Sequence, residues 1–147
     1  AKIAEQAEED DPTLHSRDEM WHEMDALDTT NAVGHATCLL ANDIKAKALI
    51  AITKTGYTAM KMSKFRPNIN IIAYTPYEKT FHQLSLAWGV VPQMGLYKNN
   101  LEELFENSIK IATDDGLLKK GDKVVISVGM PLDVSGNTNL IKVETVQ

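Results

Sequence analysis

Cys38 is the only cysteine in this chain. An internal disulfide is therefore excluded, and a thiolate-based zinc site is disfavoured. That usage fits a reducing compartment, so a cytoplasmic location is expected. Long apolar runs are missing as well: none approaches the ~20 residues of a membrane span. The opening residues lack the basic start and small-residue exit of a signal peptide. No membrane partner is expected. Aromatic residues make up only 6% of the chain, and no basic face interleaves with them, so nucleic acid is not an expected partner either. Familiar motifs are also absent: there is no G-x-x-x-x-G-K-[ST], no G-x-G-x-x-G and no H-E-x-x-H. His15, His22, His35 and His82 read as solvated or packed side chains, and no metal site is expected. Cys38 reads as core. Ser127 and Ser135 sit in no nucleophile elbow. Glu102-Glu103 and Asp114-Asp115 read as solvated charges at helix ends. No catalytic set emerges.

What is present is a chain of 147 residues, the size of one domain with a real core. Its net charge of -5 is unevenly spread. Residues 1–28 hold ten acids and two bases, whereas residues 29–147 hold ten acids and thirteen bases. The acidic excess is local, and the remainder is mildly basic. Ala1 to Glu9 reads as a short helix, broken by Asp10-Asp11-Pro12 because proline disfavours helix at the residue before it. Residues 10–24 read as a linker carrying Met20, Trp21 and Met24. A helix this short is marginal alone, so residues 1–24 are expected to be the stub of something larger, and 25–147 a domain.

From Asp25 to about Asp43 a helix is expected, with Ala32, Val33, Ala36, Leu39 and Leu40 as its apolar stripe. The chain then alternates. Strands are expected over 47–52, 69–74, 90–95 and 124–128, with helices over 57–64, over 76–87 and around Leu101, Leu104, Phe105, Ile109 and Ala112. Gly89 stops the third helix; Gly116 suits the C-cap of the fourth, and Gly121-Asp122 a turn. Leu140 to Val146 is the last strand, with Ile141, Val143 and Thr145 on one face and Lys142 and Glu144 on the other. Alternating strands and helices predict an α/β fold of three layers: a five-stranded, mostly parallel sheet with helices on both faces. The connection from Gly129 to Asn139 is too short for a crossover helix. The fifth strand is therefore predicted to be antiparallel, at an edge, with strand order 3-2-1-4-5.

The chemistry concentrates at the end of the first strand. Thr53-Lys54-Thr55-Gly56-Tyr57-Thr58 offers three hydroxyls, an ammonium group and a glycine where a strand hands over to a helix. Free N–H groups and the positive end of a helix dipole favour an anion there, and a phosphate is the best guess. Gly56 permits the left-handed geometry that lets successive N–H groups converge. Ser and Thr also cap ordinary helices, and from spacing alone the two readings stand level. In the order 3-2-1-4-5 the first and fourth strands are neighbours, and ligands collect beyond their carboxyl ends. The loop from Gly129 to Asn139, with Pro131, Ser135, Gly136, Asn137 and Thr138, would then face Thr53–Thr58 across one crevice.

Several segments, in order, carry a resemblance. Ala48 to Ala59, with Ile52-Thr53-Lys54-Thr55-Gly56 at its centre, is followed by Ser63-Lys64-Phe65-Arg66-Pro67 and Ile72-Ala73-Tyr74-Thr75-Pro76. Then come Trp88-Gly89-Val90-Val91-Pro92, the run Gly116 to Asp122, and Ser135-Gly136-Asn137-Thr138-Asn139. From about Asp25 onward the chain resembles the C-terminal domain of pyruvate kinase, and Ala1 to Glu8 looks like the end of that family's last barrel helix. The resemblance implies the fold argued above. It implies a regulatory and subunit-assembly domain that binds a phosphorylated effector, a sugar phosphate or AMP, within a homotetramer of a glycolytic transferase. Thr53, Lys54, Thr55, Gly56, Tyr57 and Thr58 would hold the effector phosphate, with Pro131, Ser135, Gly136, Asn137 and Thr138 in a loop closing over it. No cofactor is implied for this chain, because the magnesium and potassium of the full enzyme bind in the barrel. Without that barrel the chain alone is not expected to transfer phosphate from phosphoenolpyruvate to ADP. Members regulated by fructose 1,6-bisphosphate often carry an arginine on the helix before the fourth strand, for the second phosphate. The corresponding place here is near Leu104, and neither Lys98 nor Lys110 matches it. Tyr97 stands where a tryptophan clamp would be. The resemblance thus points to a monophosphate, or to no effector. The alternatives are a stand-alone sensor of a phosphorylated metabolite and a purely structural oligomerisation domain.

Overall fold

The computed structural model describes residues 29–95, 100–129 and 138–147. The expected stub helix and linker of residues 1–24 lie outside the described residues. So do Tyr97, Lys98, Pro131, Ser135, Gly136 and Asn137.

The elements follow the predicted alternation: α1 Thr29–Asp43, β1 Ala48–Ile52, α2 Tyr57–Lys64, β2 Asn70–Thr75, α3 Glu78–Leu84, β3 Val90–Met94, α4 Leu101–Asp114, β4 Lys123–Val128 and β5 Leu140–Thr145. The sheet order is β3-β2-β1-β4-β5. β1 pairs in parallel with β2 and β4, β2 with β3, and β5 runs antiparallel to β4. Fold class and strand order are those predicted from the sequence.

Strand period explains the layers. On β1, Ala48, Ile50 and Ile52 point to one side, joining Ile72, Tyr74, Val124, Ile126 and Val128 against Leu104, Phe105 and Ala112 of α4. Leu49 and Ala51 point the other way with Ile71, Ala73 and Val125, against Ala41 of α1, Ala59 and Met62 of α2 and Leu84 of α3. All five residues of β1 are buried. Two-sided burial requires a continuous apolar run, and Ala-Leu-Ile-Ala-Ile supplies one. Fully burying one such Leu or Ile stabilises the fold by about 1.5–3 kcal/mol.

Two expectations need correcting. α1 does not bury its apolar stripe. Its buried residues are Thr30, Asn31, Gly34, His35, Thr37 and Ala41, whereas Leu39 is 48% exposed. Small residues let α1 lie close to α2: a Cβ on Gly34 would sit 3.8–3.9 Å from Phe65, Lys61 and Met62. Close approach selects the small face and leaves part of the apolar one outside. Second, α3 is shorter than the predicted 76–87. Tyr77 is extended (φ -109, ψ 124) and serves as N-cap. At the other end Leu86 and Ala87 donate to the carbonyls three residues back, on Gln83 and Leu84, so the last turn tightens out of α geometry. Strand bounds elsewhere move by one residue or two, as ends do. On β5, Lys142 and Glu144 share a face as expected and form an ion pair at 2.8 Å. Glu144 as a hydrogen-bond partner raises the pKa of the half-exposed Lys142.

Candidate functional site

Ile52 and Val128 pair across the β1–β4 ladder, so the two strands end level. This is the switch point: chain leaves β1 toward one face of the sheet, and α4 reaches β4 from the other. Thr53 continues the ladder by donating its N–H to the Tyr74 carbonyl at 2.9 Å. The chain must then turn sharply into α2, and Gly56 makes the turn at φ +82. There is little room for a side chain, since a Cβ would meet Leu84 Cδ2 and Thr80 Cγ2 at 3.2 Å.

The six residues divide into scaffold and receptor. Thr53 is scaffold: it is buried, and its Oγ1 accepts the Gly56 N–H at 2.9 Å. The Lys54 carbonyl accepts the Thr80 hydroxyl at 2.9 Å and the Thr75 hydroxyl at 3.3 Å, fastening the turn to β2 and α3. Thr55 is exposed, and its Oγ1 accepts the Tyr57 N–H only at 3.4 Å, a long bond that a better partner can displace. Tyr57 is 37% exposed, with Lys61 Nζ 5.1 Å from its ring centroid. Thr58 is buried in the first turn of α2. Gly56 provides no side-chain cap, and no acid stands in that turn. The positive end of α2 therefore keeps its field.

Thr58 is also where the second predicted loop arrives. Its Oγ1 is hydrogen-bonded to Thr138 Oγ1. Thr138 is buried, and its N–H donates to Thr30 Oγ1 of α1 at 3.3 Å. Asn139 N–H donates to the Val128 carbonyl at 3.3 Å and brings the loop back to β4. The structure thus brings Thr138 to Thr53–Thr58, as the switch-point argument predicts for that loop. Pro131, Ser135, Gly136 and Asn137 lie outside the described residues. The sequence reading missed Thr30, Thr75 and Thr80. Thr75 stands at the carboxyl end of β2, beside the switch point, and that was a usable signal. Thr30 had none, being 108 residues from its partner.

Other candidates resolve into packing. Leu104 is 1% exposed, in the core beneath α4, so Leu104 itself presents nothing to a ligand. Lys110 is exposed on α4. His35 is buried with its ring 5.0 Å from that of Phe65, and His82 is exposed near Glu78. Cys38 is partly buried, its Sγ 4.0 Å from the Met62 carbonyl. Among the described residues no group of three or more His, Cys, Asp or Glu converges, and no helix is long and apolar enough to cross a membrane. A cavity of about 540 Å³ opens at the opposite, amino end of the central strands, lined by Lys45, Lys47, Asn68, Asn70, Asp122 and Lys123 among others. There α1 and α2 end, so the local dipoles are negative. The lysines complement helix carboxyl ends, which accounts for them without an anion.

Residues 31–144 match the sequence profile of the pyruvate kinase alpha/beta domain. The chain belongs to the pyruvate kinase alpha/beta-domain family. It is 38% identical to a pyruvate kinase of Clostridium acetobutylicum over its whole length, which is 31% of that protein. It is 37% identical to pyruvate kinase 2 of Synechocystis sp., again over its whole length and 24% of the relative. The crystal structure of a pyruvate kinase from Cryptosporidium parvum superposes with a TM-score of 0.72 at 28% identity, over 81% of this chain and 23% of that one. The chain thus spans about a third or less of the relatives it matches. In this pyruvate kinase domain the sheet with its flanking helices is the shared framework, and at the switch point Thr138 meets the first turn of α2.

Proposed function

We propose that this domain regulates a pyruvate kinase by binding the phosphate of a small metabolite at Thr53, Lys54, Thr55, Gly56, Tyr57 and Thr58, and that it contributes to subunit contacts. The observation that carries the reading is the bond between Thr58 and Thr138, which ties the end of the second loop to the first turn of α2, where Gly56 offers no side-chain cap. Lys54 supplies the charge, and the Thr55 and Thr58 hydroxyls supply donors. Pro131, Ser135, Gly136 and Asn137 belong to the loop that Thr138 ends. A buried leucine at position 104 favours a monophosphate over a bisphosphate. Catalysis would lie in the part of the relatives that this chain does not span. Regulation requires that the metabolite bind one quaternary state more tightly than another. Exposed Leu39 on α1 and exposed Tyr57 and Met60 on α2 support a role in assembly.

Titration calorimetry with ribose 5-phosphate, glucose 6-phosphate, AMP and fructose 1,6-bisphosphate tests the reading. At least one monophosphate is expected to bind. Joint substitution Thr55→Ala and Thr58→Ala should weaken it by about tenfold or more, since hydrogen bonds to charged groups are worth about 1.5–3 kcal/mol each. An unchanged affinity would place the phosphate elsewhere.

A further inference from the structure

Thr138 bonds two helices at once. Its backbone N–H donates to Thr30 of α1, and its hydroxyl is bonded to Thr58 of α2. All three threonines are at least nine-tenths buried, so little water competes for these groups. The backbone N–H can only donate. The two hydroxyls can face either way, because each has one proton and two lone pairs.

An anion at the amino end of α2 removes that freedom. If the Thr58 O–H turns to an oxyanion, the Thr58 oxygen can only accept from Thr138. The chain then runs one way, from the Thr138 hydroxyl to Thr58 to the anion, and the bonds polarise one another. Thr138 is held more firmly, and its N–H holds Thr30. Beside Thr30, Asn31 is 2% exposed and its Nδ2 has no hydrogen-bond partner among the described residues. A buried donor left unsatisfied is costly. This part of α1 is therefore one that gains from a small resettling.

We infer that Thr138 is a latch through which anion binding at Thr53–Thr58 tightens α1 as well as α2. The inference rests on the phosphate reading of that site, and it adds an output: the helix carrying exposed Leu39 responds to the ligand without touching it. Two helices that share one threonine form a contiguous physical link, which a coupling claim needs.

Hydrogen exchange on the full chain, with and without saturating ribose 5-phosphate, tests the latch. The ligand should slow amide exchange in α1 by about tenfold, the worth of one hydrogen bond, and also slow the start of α2. Thr30→Val removes the acceptor and keeps the shape. It should abolish the slowing in α1, spare that in α2, and change affinity by less than about threefold, because the direct contacts remain. Thr138→Val cuts the link on its other side and should also uncouple α1, so either folded variant suffices. Thr138→Ser should retain the coupling. Slowing of α1 that persists in both valine variants would overturn the latch. So would a wild-type protein that binds ribose 5-phosphate with no response in α1. If calorimetry detects no phosphorylated ligand at all, the phosphate reading falls first, and the latch with it.

Discussion

Gly56 is the residue whose identity the fold constrains most tightly. It combines a left-handed φ of +82 with walls at 3.2 Å. Gly56→Ala should destabilise the domain by about 1–3 kcal/mol, through backbone strain and through crowding against buried Leu84 and Thr80. Urea denaturation reads this directly, and a midpoint that does not fall would mean that the turn relaxes. Gly56 and Thr58 were legible in the sequence because turn chemistry is local. The division of labour among the threonines was not. Thr53, Thr55 and Thr58 are chemically identical on paper, and only tertiary placement makes Thr53 an acceptor for the turn, Thr55 exposed and Thr58 a partner of a distant loop. Lys45 and Arg66 show the same limit. Both adopt positive φ after a helix end, where glycine is the expected residue. Arg66 then stacks on Trp88 at 4.8 Å, a contact that spacing does not announce.

At the scale of elements, β2 and α4 are tied by one buried phenol. Tyr74 is fully buried, and its O–H donates to the Ser108 carbonyl at 2.7 Å. Tyr74→Phe leaves that carbonyl without this donor and should cost about 1–2 kcal/mol. Burial, and then the negative charge of Asp115, raise the pKa of the phenol above its ordinary value. The folded state therefore holds this proton when the unfolded chain has released it. Stability from this group is complete below about pH 10 and falls as pH rises beyond that, by up to about 1.4 kcal/mol per pH unit. Comparing denaturation of wild type and Tyr74→Phe between pH 9 and pH 11 isolates the effect; equal alkaline slopes would contradict it. The elements themselves were readable because periods of 2 and 3.6 leave clear patterns in β1, β4 and α4. α4 is also well capped, with Asn100 Oδ1 accepting the Glu102 N–H at 2.9 Å. α1 was misread because apolar periodicity measures what could be buried, whereas close packing against α2 selected small residues instead.

At the scale of the whole molecule, the sheet order was legible from connection lengths, since a short link forbids a crossover and leaves β5 antiparallel at an edge. Assembly was not legible, because a surface residue carries no mark of its partner. The misread stripe of α1 is informative here. Leu39 is 48% exposed and Met60 43% exposed on neighbouring helices. If they lie in a subunit contact, Leu39→Glu with Met60→Glu should weaken self-association by about tenfold or more, since a buried unpaired charge costs several kcal/mol. It should leave the unfolding midpoint of the separated subunit nearly unchanged. Analytical ultracentrifugation across a concentration series decides it, and an unaltered sedimentation profile would remove these residues from the contact.

The sheet order also has a consequence in time. β1 is the middle strand, yet it is the first strand made, and its neighbour β4 is the fourth. On a ribosome adding roughly 5–20 residues per second, several seconds pass between the two. Through that interval Ile50, Ile52, Ile72 and Tyr74 form an apolar face with neither α4 nor β4 to cover it. That face can be covered only once the last third of the chain has emerged. The Thr30–Thr138–Thr58 connection, drawn from both ends of the domain, closes only after synthesis of the sheet is nearly complete.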